Sequence, residues 1–214
     1  MTHTAPVPPH VAEQFQALSA ALETGGRADT APLRGHSVLR PCLVAVGGFS
    51  GSGKSTVARG LAAHLGLAHV RTDALRKHLA GVPAHEKAPP SAYTTDMSGR
   101  TYALMHALAE RLLHDGLPVL LDATFTLPAS REAVAELARH AGVPFLGLWC
   151  HVPEEEARRR IRGRTGDVSD ADEVILNSQL ARGAGPMAWP TLDGRGTPGD
   201  VLARAVDLTA PLHR

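Results

Sequence analysis

The sequence predicts an α/β fold in which helices cover both faces of a parallel sheet of about five strands. Short apolar runs such as Cys42–Val46, Leu117–Leu121 and Val143–Cys150 recur, with helical periodicity between them. That alternation is the pattern of a wound parallel sheet. The runs are continuously apolar, as expected of strands buried on both faces. A glycine-rich turn after the first run leads straight into a helix, which places any ligand beyond the C-terminal ends of the strands.

The 214 residues suffice for one such domain at 41–214, preceded by an extension over 1–40. Met1–His10 is rich in Pro and Thr and is expected to be loose. Val11, Phe15, Leu18 and Leu22 fall on one helical stripe, and Gly25-Gly26 ends it. A helix this short is marginal alone, so it is expected to dock on the body. After the first strand comes a helix over Lys54–Leu65, a strand end at His69–Thr72, and a short helix over Asp73–Leu79 closed by Gly81. Val82–Ser98 holds three prolines and little periodicity, a loop long enough to be functional. Helix Thr101–His114 leads into the third strand, which ends at Asp122. Pro128 stands at the favoured first position of a helix reaching His140. The fourth strand follows, and Pro153 opens a charged helix to Arg162. A helix over Asp170–Arg182, a strand near Ala188–Leu192 and a helix from Asp200 complete the pattern.

Composition excludes several classes. With 22 basic and 21 acidic residues the formal charge is +1, which gives no broad attraction to nucleic acid or an acidic membrane. No apolar run approaches a membrane span, and the N-terminus has no basic start followed by an apolar stretch. Cys42 and Cys150 fall at opposite ends of parallel strands, out of disulfide reach. Free, buried thiols suit a reducing compartment, so a cytoplasmic location is expected. The twelve histidines form no HExxH, CxxC or His-x-His pattern.

The strongest signal is Gly48-Phe-Ser-Gly-Ser-Gly-Lys-Ser55, which matches GxxxxGK[ST] between a strand and a helix. Glycines 48, 51 and 53 let the backbone turn inward and present N–H groups to phosphate oxygens. The helix N-terminus adds its positive dipole end. Gly48, Ser50, Gly51, Ser52, Gly53, Lys54, Ser55 and Thr56 are therefore the candidate nucleotide-binding residues. Lys54 is expected at the β- and γ-phosphates of ATP, and the Ser55 hydroxyl on Mg²⁺. Asp122 closes Leu117-Pro-Val-Leu-Leu-Asp122 as in a Walker B strand and is the second candidate metal residue. A capping role is its plainer reading.

Asp73, in Arg71-Thr-Asp-Ala-Leu-Arg-Lys77, stands where a general base would meet an acceptor hydroxyl. Arg76, one turn on, would hold an anionic acceptor. Helix N-capping is the alternative role for Asp73, and the two are compatible. In Glu154-Glu-Glu-Ala-Arg-Arg-Arg-Ile-Arg-Gly-Arg164, each glutamate precedes an arginine by four residues, so part of the run is a salt-bridged face. Arg162 and Arg164 lack such partners. Arg160 and Arg164 are the candidate catalytic arginines of a lid that closes over ATP; a plain surface helix is the competing reading.

Gly47–Thr56, Arg71–Gly81, Leu121-Asp-Ala-Thr-Phe125 and Ser169-Asp-Ala171 together resemble the AAA_33, or predicted-kinase, group of small P-loop kinases. Wider relatives of that group include polynucleotide 5′-kinases, chloramphenicol phosphotransferase, gluconate kinase and zeta-type toxins. The resemblance implies a P-loop NTPase three-layer sandwich of nucleoside-monophosphate-kinase type with a helical lid. It also implies ATP and Mg²⁺. Carried over from polynucleotide kinase, it makes Asp73 the base and Arg76 an acceptor-phosphate arginine, with Arg160 and Arg164 in the lid.

The expected activity is transfer of the γ-phosphoryl group of ATP to a hydroxyl of a small-molecule acceptor. A polynucleotide 5′-hydroxyl kinase ranks below it. Only eight aromatic residues exist, and base stacking needs more of them along a basic groove. A non-catalytic ATP-dependent switch is the third reading. The acceptor's identity and the oligomeric state are specified by no motif.

Overall fold

The computed structural model describes residues 39–83, 86–163 and 173–213. The expected helix at 11–22, Arg164 and Ser169–Ala171 lie outside the described residues. Five strands, β1 (Leu43–Gly47), β2 (Ala68–Arg71), β3 (Val119–Asp122), β4 (Phe145–His151) and β5 (Thr191–Asp193), form one all-parallel sheet in the order β2-β3-β1-β4-β5. Seven helices accompany them among the described residues: α1 (Lys54–Leu65), α2 (Thr72–Leu79), α3 (Thr95–His114), α4 (Pro128–His140), α5 (Glu154–Arg162), α6 (Glu173–Arg182) and α7 (Pro198–Leu208).

The continuous apolar strands mean what their pattern implied: alternate residues feed two separate cores. Leu43 and Ala45 of β1 face Met105, Ala109 and Leu112 of α3 and Val134 of α4. Val44 and Val46 face the opposite layer, with Val57, Leu61 and Leu65 of α1 and Val201 and Ala205 of α7. Every residue of β1 is buried. Three layers result, with the sheet in the middle.

Helix ends follow local chemistry. Thr197 and Asp200 make a reciprocal capping box around Pro198 at the start of α7. Thr94 caps α3 by accepting from the Met97 N–H. That cap corrects the sequence expectation of a loop through Ser98: a 3₁₀ turn at Pro90–Tyr93 leads directly into α3, which starts at Thr95 rather than Thr101. Gly99 and the polar first turn of α3 had masked its periodicity. The remaining boundaries shift by a few residues, as at Phe145, where Pro144 stays outside the strand.

Register brings the functional ends together. Val46, Asp122 and Arg71 are aligned across β1, β3 and β2, so the loop after β1, the end of β3 and the start of α2 open on the same edge. Among the described residues, no helix is long and apolar enough to cross a membrane. Both cysteines are free and buried, and burial pushes each thiol up to about 12.

Candidate active site

The loop Gly48–Gly53 wraps over the C-terminal end of β1 and ends in the N-terminus of α1. Gly51, at φ +80°, is required twice over. Its backbone is left-handed, and a β-carbon there would collide with the Ala157 carbonyl of α5. The N–H groups of Lys54 and Ser55, at the start of α1, precede the first intrahelical acceptor, and both residues line the cleft beside the loop. Ser52 Oγ is buried without a hydrogen-bond partner among the described residues. Donors of this kind at a helix N-terminus suit phosphate oxygens.

Lys54 is 7% exposed and lines two clefts at once. One, about 660 Å³, runs from Gly51–Val57 to Arg159 and Arg160 of α5 and to Gly194, Gly196 and Pro198 before α7. The other, about 830 Å³, lies on the far side of the loop, between α2, α3 and α6. Asp73, Arg76, Tyr102, His106 and Gln179 line it with Lys54 and Asp122.

Asp122 is 3% exposed and sits between α1 and β2. The Ser55 hydroxyl donates to its Oδ1 at 3.2 Å. Its Oδ2 stands 3.4 Å from His69 Nε2 and 3.3 Å from Arg71 Nε. Burial alone would raise the pKa of this carboxyl. The hydrogen bond and charge of His69, with Arg71 and Lys54, outweigh burial and hold it at about 2. It is therefore ionised at neutral pH. An ionised carboxylate touching a serine hydroxyl at the base of a phosphate loop fits Mg²⁺, with the serine as ligand and the aspartate acting through water. The Asp122 carbonyl also accepts from Thr72 Oγ1 at 3.2 Å, tying the end of β3 to the first turn of α2, where Asp73 stands.

Helix N-capping was the alternative role for Asp73. The structure puts it inside the first turn of α2, where the N-cap position belongs to Arg71. Its half-buried side chain faces the larger cleft. Arg76 lines the same cleft. Its Nη1 donates to the Ala92 carbonyl at 2.9 Å and to Ser98 Oγ at 3.2 Å, and its guanidinium lies 5.0 Å from the centre of the Tyr93 ring. Much of its bonding capacity thus positions the 3₁₀ turn and the start of α3.

Helix α5 lies directly on the phosphate loop. Arg160 donates to Ser52 O at 3.4 Å and to Gly194 O at 2.9 Å, and pairs with Glu156 at 2.6 Å. It bridges the loop to the segment before α7. Arg162 is not unpartnered as its spacing suggested: its Nε stands 3.0 Å from Glu173 of α6. Arg158 joins Glu154, Glu173 and Asn177, so α5 and α6 are laced together.

Two residues emerge only in three dimensions. Gln179 of α6 accepts from the Ser50 N–H at 2.8 Å, reaching the phosphate loop from the opposite side to Arg160. Arg131 of α4, buried, donates to the carbonyls of Phe125, Ala184 and Pro186. His69 and Arg71 were within reach of sequence reasoning: they alternate with Ala68 and Val70, which turns both toward one face of β2.

Proteins of known sequence and structure carry the same frame. Curated relatives from Mycobacterium tuberculosis and Mycobacterium bovis, each described as an uncharacterized protein, are 32% identical over 153 residues, or 70% of this chain. The chain spans about 30% of the length of those relatives. A sugar kinase from Janibacter superposes with a TM-score of 0.59 at 23% identity, covering 81% of this chain and 98% of that one. A gluconokinase from Sinorhizobium meliloti gives 0.58 at 22%, covering 81% and 93%. The APS kinase of Mycobacterium tuberculosis, solved with AMPPNP and APS, gives 0.58 at 21%, covering 79% and 98%. These likenesses establish a P-loop kinase fold. The AAA_33 model, an AAA domain, matches residues 43–186, and the chain belongs to that family.

Proposed function

We propose that this chain is an ATP-dependent kinase that transfers the γ-phosphoryl group to a hydroxyl of a small-molecule acceptor. The observation that carries the reading is the meeting of two clefts at Lys54, one built for phosphates and the other holding a carboxylate. Phosphoryl transfer is mainly positioning and charge neutralisation, and each part has a residue here. The loop amides and Lys54 bind the β- and γ-phosphates. Arg160, and by family resemblance Arg164, offset charge on the nucleotide side. Ser55 and Asp122 would hold Mg²⁺, which supplies further neutralisation of the phosphates. Asp73 accepts the proton of the acceptor hydroxyl. The new bond joins the acceptor oxygen to the γ-phosphorus as the bond to the β,γ-bridging oxygen breaks, and ADP leaves with that electron pair.

The free, buried thiols support a reducing, cytoplasmic setting. The larger cleft offers one exposed aromatic residue, Tyr93, at its rim, which supports a small molecule over a stacked nucleic-acid strand. The test is transfer from γ-labelled ATP with Mg²⁺ to a panel of sugars, aminoglycosides, nucleosides and 5′-hydroxyl oligonucleotides, with Lys54→Ala as the control. Label on one small hydroxyl compound, lost in the variant, supports the proposal. Label on the oligonucleotide alone replaces it with a polynucleotide kinase. Tight ATP binding with no transfer points to a switch.

A further inference from the structure

The larger cleft has a chemical character that narrows its ligand. Among the described residues, the exposed large hydrophobic side chains are Tyr93, Leu127 and Val174, at 37%, 60% and 73% exposure. All three line this one cleft. They come from three separate elements: the 3₁₀ turn, the residue before α4, and α6. Single exposed apolar residues carry no message, whereas their convergence on one concavity marks a ligand surface.

The cations of the cleft are only partly committed. Arg71 pairs with Asp122, and Lys54 belongs to the phosphate loop. Arg182 donates to Ser178 Oγ at 2.6 Å. Arg76 is held by Ala92, Ser98 and the Tyr93 ring. Arg76 and Arg182 bond only neutral groups and keep their charge, whereas a polycationic acceptor finds a single available carboxylate, Asp73. What the floor does offer is hydrogen bonding. His106 Nε2 and Arg76 Nε are buried without a hydrogen-bond partner among the described residues, and both residues line the cleft. His106 also packs edge-on against Tyr102, at 6.4 Å between ring centres.

We propose that the acceptor is a hydroxyl compound with an apolar or aromatic body, its hydroxyl at Asp73, a polar edge on His106 and Arg76, and its body against Tyr93 and Leu127. This rests on the larger cleft being the acceptor site. A free sugar or sugar acid, uniformly polar or charged, would leave the apolar rim wet and gain nothing from it.

The test reads binding, so it is independent of phosphate transfer. The full chain, with ADP saturating the nucleotide cleft, is titrated by ligand-observed NMR with matched pairs: phenyl β-glucoside and glucose, 3-phenylpropane-1,2-diol and glycerol. Gluconate and kanamycin serve as the anionic and cationic arms. The phenyl member of each pair should bind roughly tenfold tighter, as burial of a ring predicts. Leu127→Ser and Tyr93→Ala, at exposed positions that a fold tolerates, should erase that advantage while leaving ADP affinity unchanged. Equal or absent affinity for the phenyl members, preference for gluconate or kanamycin, or an advantage that survives both substitutions would overturn the proposal. Such a result would leave the kinase reading standing, because Lys54→Ala tests that separately.

Discussion

Replacing Arg131 by methionine removes three charge-assisted hydrogen bonds while keeping most of the packing of the aliphatic stem. Its guanidinium donates to Phe125 O at 2.7 Å, Ala184 O at 2.8 Å and Pro186 O at 2.7 Å. Those carbonyls lie on two chain segments, one after β3 and one after α6, that both border the larger cleft. Phe125 is also the one non-glycine residue with positive φ, +47°, among the described residues. A bulky side chain in that conformation costs about 1–2 kcal/mol. Arg131 helps to hold it there, together with the Tyr102 hydroxyl, which accepts from the Phe125 N–H at 3.4 Å. At about 1 kcal/mol net for each lost bond, the substitution should destabilise the fold by about 3 kcal/mol. In a chain of this size that lowers the thermal midpoint by roughly 6–12 °C. Arg131→Lys, which can restore one of the three bonds, should fall between. Thermal unfolding followed by circular dichroism, with urea titration as a check, reads the difference. ADP affinity should stay unchanged, since Arg131 does not line the nucleotide cleft. A drop below about 2 °C would refute the reasoning, because the three carbonyls would then be satisfied without the arginine.

Three further perturbations probe the site. The pKa of Asp122, about 2 in the fold against an ordinary 3.8, is depressed, so its stabilisation is complete above about pH 4 and is lost as pH falls through 2. Asp122→Asn should therefore be less stable than the parent by about 2 kcal/mol at pH 7, with the gap closing near pH 2 in urea titrations. Gly51→Val places a β-carbon against the Ala157 carbonyl at a left-handed backbone position and should push α5 off the loop. Calorimetry should show ATP affinity falling by roughly tenfold or more. Gln179→Leu strands the Ser50 N–H that its side chain now satisfies, and should cost about 1–2 kcal/mol of stability in the same urea titration.

Much of the frame was legible because its determinants are local. The apolar runs from Cys42, Leu117 and Val143 needed no tertiary information to be read as buried strands, and Gly48–Ser55 carries its own strand–turn–helix context. Asp122 was legible for the same reason, standing at the end of such a run. The start of α3 was missed because Thr94 caps a first turn whose residues are polar and include Gly99, so no apolar stripe announced it. Arg162 looked unpaired because its partner, Glu173, lies on another helix. Gln179 and Arg131 were invisible for a deeper reason. Each acts on backbone groups far away in sequence, Ser50 and Ala184 among them, and neither spacing nor residue type encodes such a contact. The apolar rim of the larger cleft is likewise assembled from three segments that only the fold brings together.

The most direct test of the central claim is Asp73→Asn, assayed for transfer from γ-labelled ATP to the best acceptor of the panel, beside an ATP titration of the same protein. Asparagine keeps the shape of the side chain and cannot take a proton. The account predicts an unchanged ATP dissociation constant with transfer reduced by roughly 100-fold or more. Transfer at the parent rate would contradict it, leaving Asp73 as a first-turn helix residue with no part in the chemistry.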